Sequence, residues 1–228
     1  AMTTGVAAAH VLVLVLSRDL GNALIFFLTY LFMLFVATGK WLYLGSGLAA
    51  GCAASVAAYR LFPHVQRRVA AWRDPWSDVA DTGYQIAQSL FAIGTGGWLG
   101  MGLGRGPPEK IPVVEEDFMI SAVAEELGGL FAICLILICL GCFLQFMMIA
   151  VRMQAMFYKL IAFGLGCEYI VQVLLTVGGA VKFIPLTGVT LPLVSYGGSS
   201  VAGTFILFSV IQGLYILKRN EEEEDEEK

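Results

Sequence analysis

Six carboxylates crowd one short stretch: Glu109, Glu115, Glu116 and Asp117, then Glu125 and Glu126. A carboxylate within hydrogen-bond reach of a reacting hydroxyl can take its proton, so acids at this density are candidates for general-base chemistry. On the helix they border residues advance by about 100° each, so Asp117, Ser121, Glu125 and Gly128 fall within about 80° of one another on one face. Glu126 then lies roughly opposite Asp117. The expectation is one polar stripe facing a cavity. Glu115 and Glu116 have a plainer reading, as acids favoured by a helix N-terminus. Ionisable groups that border hydrocarbon are functional candidates with a partner, and Arg105, Lys110 and Lys182 are the cations expected to supply one. Glu168, inside an apolar run, divides evenly between function and pairing with another helix.

The elements that would position these acids are punctuated. Residues 185–200, Pro-Leu-Thr-Gly-Val-Thr-Leu-Pro-Leu-Val-Ser-Tyr-Gly-Gly-Ser-Ser, lie between two long apolar runs. Irregular chain at membrane depth survives only when buried in protein or lining a wet cavity, because hydrocarbon offers its N–H and C=O groups no partner. Ser195, Tyr196, Gly197, Gly198, Ser199 and Ser200 are therefore read as lining a site. Residues 81–90 read as a helix start, with Gln85, Gln88 and Ser89 interrupting an apolar surface. Residues 94–106 carry too many glycines for a stable span, each costing about 1 kcal/mol relative to Ala in a helix. They should bend, re-enter or line something. As a phosphate cradle the stretch lacks the strand and the Lys-Ser/Thr context of a nucleotide loop.

The solvent around all this is lipid. Hydrophobic residues make up 58% of the 228 and charged ones 14%, with a mean hydropathy of +0.78, which defines an integral membrane protein. Crossing about 30 Å of hydrocarbon takes roughly 20 apolar residues. Such runs lie near 20–38, 41–62, 125–150, 158–180 and 200–217, with a shorter one near 5–16. The fold class is all-α, with about six transmembrane helices and a large external loop, about 63–116, holding short or re-entrant helices. Lys40, Arg152, Lys159, Lys218 and Arg219 fall on one side of alternating spans, which makes that side cytoplasmic; Arg18 and Lys182 fall on the other. Residues 1–217 form a single polytopic domain and 218–228 an acidic cytoplasmic tail, read as solvated and disordered. The run 221–228, seven acids and Lys228, carries −6 and residues 1–220 carry +2, for a net charge of −4. Nothing basic enough for a nucleic-acid partner appears. The five cysteines sit in apolar runs without zinc-ligand spacing and are read as packing.

In order along the chain stand Gly83-Tyr-Gln-Ile-Ala-Gln-Ser89, Gly100-Met-Gly-Leu-Gly104, Asp117-Phe-Met-Ile, Glu125-Glu-Leu-Gly128 and Pro185-Leu-Thr-Gly, followed by Leu191-Pro and Ser195-Tyr-Gly-Gly-Ser-Ser200. With these, and with Arg18-Asp-Leu-Gly-Asn-Ala23, the chain resembles the SEDS family of FtsW, RodA and SpoVE, bacterial cell-wall polymerases. It departs from the family pattern at Glu116, where Thr or Ser is common, at Thr176, where Asn is usual, and at Arg18, which replaces proline.

The resemblance implies a ten-helix fold of which this chain looks like the last six. It implies an inverting peptidoglycan glycosyltransferase on the outer face of the bacterial plasma membrane, joining lipid II units through β-1,4 linkages in division, elongation or sporulation. Asp117 is then the candidate base, and Glu109 stands for the family's upstream loop glutamate. Arg105, Lys110 and Lys182, or a divalent cation (Mg or Mn), would meet the pyrophosphate, and Gln85, Gln88, Glu125 and the 195–200 turn would hold sugar or phosphate. The implied partners are a class B penicillin-binding protein and other membrane proteins of the divisome or elongasome. Two other classes fit a broken polar segment between spans: a flippase or transporter of lipid-linked precursor, and a noncatalytic scaffold for a transpeptidase.

Overall fold

The computed structural model describes residues 2–77, 79, 83–107 and 110–226. Among them the chain is all-helical: α1 (Met2–Leu16), α2 (Leu20–Thr38), α3 (Trp41–Leu61), α4 (Pro63–Arg73), α5 (Tyr84–Gly96), α6 (Met119–Glu126), α7 (Gly129–Arg152), α8 (Met156–Ala180) and α9 (Gly198–Glu226). Helices α2, α3, α7, α8 and α9 are long and apolar enough to cross a membrane, and α1 is apolar but shorter. The protein is a multi-pass membrane protein.

Two expectations change. The run near 125–150 is not one helix, because Gly128 adopts φ 93 and separates α6 from α7. The acidic tail, expected to be disordered, continues α9 as helix through Glu226. Lys218–Glu222 (2.8 Å) and Arg219–Glu223 (3.2 Å) are pairs one turn apart that relieve its acidic repulsion. The cysteines are all free; Cys139 and Cys167 are buried as expected, whereas Cys52 and Cys134 are exposed.

The chain divides into two compact units. The first holds residues 1–45, 139–171 and 198–228. Here Asp19 caps α2 by accepting from the Asn22 backbone N–H, and Gly39, at φ 65, ends it with its N–H on the Phe35 carbonyl. Thr4 accepts from the Tyr30 hydroxyl at 3.0 Å, fastening α1 to α2. Phe146, Tyr169 and Phe208 form an edge-on aromatic cluster with centroids 5.2–5.8 Å apart.

The second unit holds residues 46–138 and 172–197. Its centre is α5 packed on α6 around a fully buried hydroxyl pair. The Ser89 hydroxyl donates to the Ala180 carbonyl (2.8 Å) and lies 2.6 Å from the Ser121 hydroxyl, which is left to donate to it. Ser89→Ala therefore strands both a carbonyl and a hydroxyl, whereas Ser121→Ala removes one donor and strands nothing. The expected losses are about 2–3 kcal/mol and about 1 kcal/mol, with the order read from thermal unfolding in detergent.

Candidate functional site

The 181–197 segment is irregular, as its prolines and glycines require, and side chains fasten its backbone. From α4, which Pro63 starts at its first turn, Arg68 donates to the Thr187 carbonyl (3.0 Å) and Trp72 to the Lys182 carbonyl (3.2 Å). From α8, Thr176 donates to the Val189 carbonyl (2.7 Å) and Gln172 to the Thr190 carbonyl (2.9 Å). The Tyr196 N–H reaches the Glu115 carbonyl at 2.7 Å. Each bond satisfies backbone that lipid could not.

Asp117 sits in this framework. Helix α6 begins only at Met119, so Asp117 lies in the preceding turn and not on the polar stripe expected of it. A Cβ at Gly188 would lie 3.6 Å from Arg68 Nη2 and 4.0 Å from Asp117 Oδ2, so glycine, at φ 76, leaves the corner between these groups open. Burial, and then the neighbouring Glu116 charge, raise the Asp117 carboxyl above its ordinary pKa, against the Arg68 guanidinium, which lowers it. Arg68 is thus a cation that acts on Asp117 and that the sequence reading does not name beside Arg105, Lys110 and Lys182. The sequence signal for Arg68 is its spacing one turn from Trp72 on a helix opened by proline.

The remaining candidates divide. Gln88, Lys110 and Glu125 meet around a cavity of about 190 Å³, walled also by Phe91, Thr95 and Met101; Gln85 does not line it. Ser121, expected on the stripe, is sealed against Ser89. Glu126 accepts from the Gly104 N–H at 3.1 Å and so fastens the glycine-rich loop. Arg105 is exposed and lies over Gly102. Lys182 adopts φ 61, and its carbonyl is the one Trp72 holds. The Ser195 hydroxyl is buried and accepts from the Leu191 N–H, while the Tyr196 ring is 71% exposed beside Gly197. Gly198, Ser199 and Ser200 open α9 in the other compact unit. Glu109 lies outside the described residues, as do Asp81 and Thr82 of the expected helix start, and α5 is described from Tyr84.

A family model described as cell cycle protein, that of FtsW, RodA and SpoVE, matches residues 1–220. The chain belongs to this family. It is 38% identical over 199 residues to the peptidoglycan glycosyltransferase RodA of Mycobacterium tuberculosis, covering 87% of this chain and 42% of that protein. It is 37% identical over 211 residues to the probable peptidoglycan glycosyltransferase FtsW of Aliivibrio salmonicida, covering 89% and 51%. The chain thus spans about half the length of these relatives. A solved chain from a peptidoglycan synthase complex that coordinates polymerization and crosslinking superposes with a TM-score of 0.75 at 26% identity, over 94% of this chain and 60% of that one. For a divalent cation the donor set is poor: among the described residues no three His, Cys, Asp or Glu side chains converge, and a guanidinium already faces Asp117.

Proposed function

We propose that the whole protein is a peptidoglycan glycosyltransferase that polymerises lipid II on the outer face of the plasma membrane, with Asp117 as general base. The observation that carries this is the Asp117 carboxyl itself, partly desolvated and opposite Arg68 in the open corner at Gly188, in a chain whose relatives are named for this activity. An acceptor sugar hydroxyl gives its proton to Asp117 while its oxygen bonds to the anomeric carbon of the donor. The carbon–oxygen bond to the lipid pyrophosphate breaks on the opposite side, which inverts the anomeric centre. Arg68, held by the Thr187 carbonyl, supplies positive charge for the departing phosphate, and Lys110, Arg105 and Lys182 are the further cations on this side. A penicillin-binding transpeptidase would consume the strand.

The test is polymerisation of labelled lipid II by the full-length protein and by its folded Asp117→Asn variant. Loss of product in the variant supports glycosyl transfer. Translocation of labelled lipid that survives the substitution, with no polymer from either protein, favours a transporter and overturns the proposal.

A further inference from the structure

Glu125 is 5% exposed, yet its Oε2 is buried without a hydrogen-bond partner. Its Oε1 has only a long contact, 3.4 Å, from the Thr95 hydroxyl, which also lies 3.1 Å from the Ala92 carbonyl. A carboxyl oxygen accepts hydrogen bonds, and burying it short of donors is unfavourable. This one faces the 190 Å³ cavity, where Lys110 and Gln88 supply donors and Phe91 an apolar wall. A Cβ at Gly106 would come within 3.0 Å of the Glu125 carboxyl carbon, so Gly106 packs directly on the acid and leaves no room there for a side chain.

The ligand's chemistry follows from this lining. It must offer hydroxyl or N–H donors to Glu125, take hydrogen bonds from Lys110 and Gln88, and rest a C–H face on Phe91. An amine would bring a second cation beside Lys110, whereas a neutral sugar ring meets every requirement. The cavity has roughly the room of six liquid waters, enough for one such ring. Glu125 lies six residues beyond Met119 on α6, about 9 Å along its axis, and Asp117 is further back still. The sugar held here is therefore a neighbour of the one that reacts.

From these observations we infer that the Glu125 pocket is a second saccharide subsite, which grips a ring of the glycan next to the reacting one. This rests on the glycosyl-transfer reading for its biological ligand, though the pocket's preference for a neutral sugar can be measured alone. The probe is a β-1,4-linked N-acetylglucosamine disaccharide, and binding to the full-length protein in lipid nanodiscs is read by saturation-transfer NMR. Glu125→Gln and Phe91→Ala are expected to weaken binding at least ten-fold. Gly106→Ala, which crowds the carboxylate while keeping every lining side chain, weakens it as well, and this variant decides the matter if Glu125→Gln does not fold. No binding by the unaltered protein, or binding unmoved by both Phe91→Ala and Gly106→Ala, overturns the subsite. Glu125-dependent binding by a protein that never polymerises lipid II keeps the pocket and overturns the reaction; Asp117-dependent polymerisation without Glu125-dependent binding does the reverse.

Discussion

Asp117→Asn in the full-length protein is expected to lower lipid II polymerisation by about 10²–10⁴-fold, the range for loss of a general base, while the protein still folds. A second readout separates this role from structural damage. Burial and Glu116 raise the Asp117 carboxyl above its ordinary pKa, so the folded state favours the protonated form. The stability this provides is fully present below the unfolded pKa and is lost as pH rises through the folded one. At neutral pH the ionised side chain is then a net burden, and the neutral asparagine should melt no lower than the parent. Activity runs the opposite way, because the base must be ionised: the acid limb of the rate profile lies above the ordinary carboxylate range. Glu116→Gln removes a like charge and moves that limb down in pH. Arg68→Gln removes the opposing cation and moves it up, and Arg68→Lys restores the charge and part of the shift. A limb that ignores both neighbours removes Asp117 as the titrating base.

The parts of this molecule written in composition and period were legible in its residues. Apolar runs of sufficient length became α2, α3 and α8 within a few residues, and α9 begins two residues before its expected start, because a span needs little beyond length and hydropathy. The break at 185–200 was equally clear, since prolines and adjacent glycines cannot continue a helix. Legibility failed where one backbone had to meet another. A helical wheel assumes a starting residue, and the wheel that joined Asp117 to Glu125 assumed α6 two residues too early. The true start puts Asp117 under the influence of Arg68, 49 positions back in the chain, and no periodicity reports a neighbour at that separation. Glu125 and Glu126 look equivalent in sequence, yet one borders the cavity and the other holds the Gly104 N–H. The tail was misread because its charge was counted without its register: Lys218 and Arg219 each find a glutamate four residues on.

The glycine-rich loop carries the largest expected effect on folding, at Gly128. The N–H groups of Met101 and Gly102 bond to the carbonyls of Glu125 and Glu126 (2.9 and 3.0 Å), and those of Gly129 and Leu130 bond back to Gly97 and Trp98 (2.8 and 3.2 Å). Two backbones are laced together with no side chain between them. A Cβ at Gly128 would overlap the Trp98 carbonyl oxygen and come 2.6 Å from the Leu99 carbonyl carbon, in a residue already at φ 93. The left-handed conformation costs roughly 1–2 kcal/mol and the overpacking roughly 1–3 kcal/mol more, so Gly128→Ala should lose about 3 kcal/mol or more, a large fraction of a typical stability. Two other glycines separate packing from conformation. Gly104 has φ 70 but nothing within 4 Å of its Cβ position, so Gly104→Ala loses only the conformational part, about 1–2 kcal/mol. Gly94 lies within α5 with open space at its Cβ position, and Gly94→Ala should gain about 0.5–1 kcal/mol. Thermal unfolding of the three variants in one detergent should rank Gly94→Ala above the parent, Gly104→Ala below it and Gly128→Ala last. Equal losses at Gly104 and Gly128 would mean that the segments at 97–102 and 125–130 do not meet as described, and the wall between Met101 and Glu125 would fall with them.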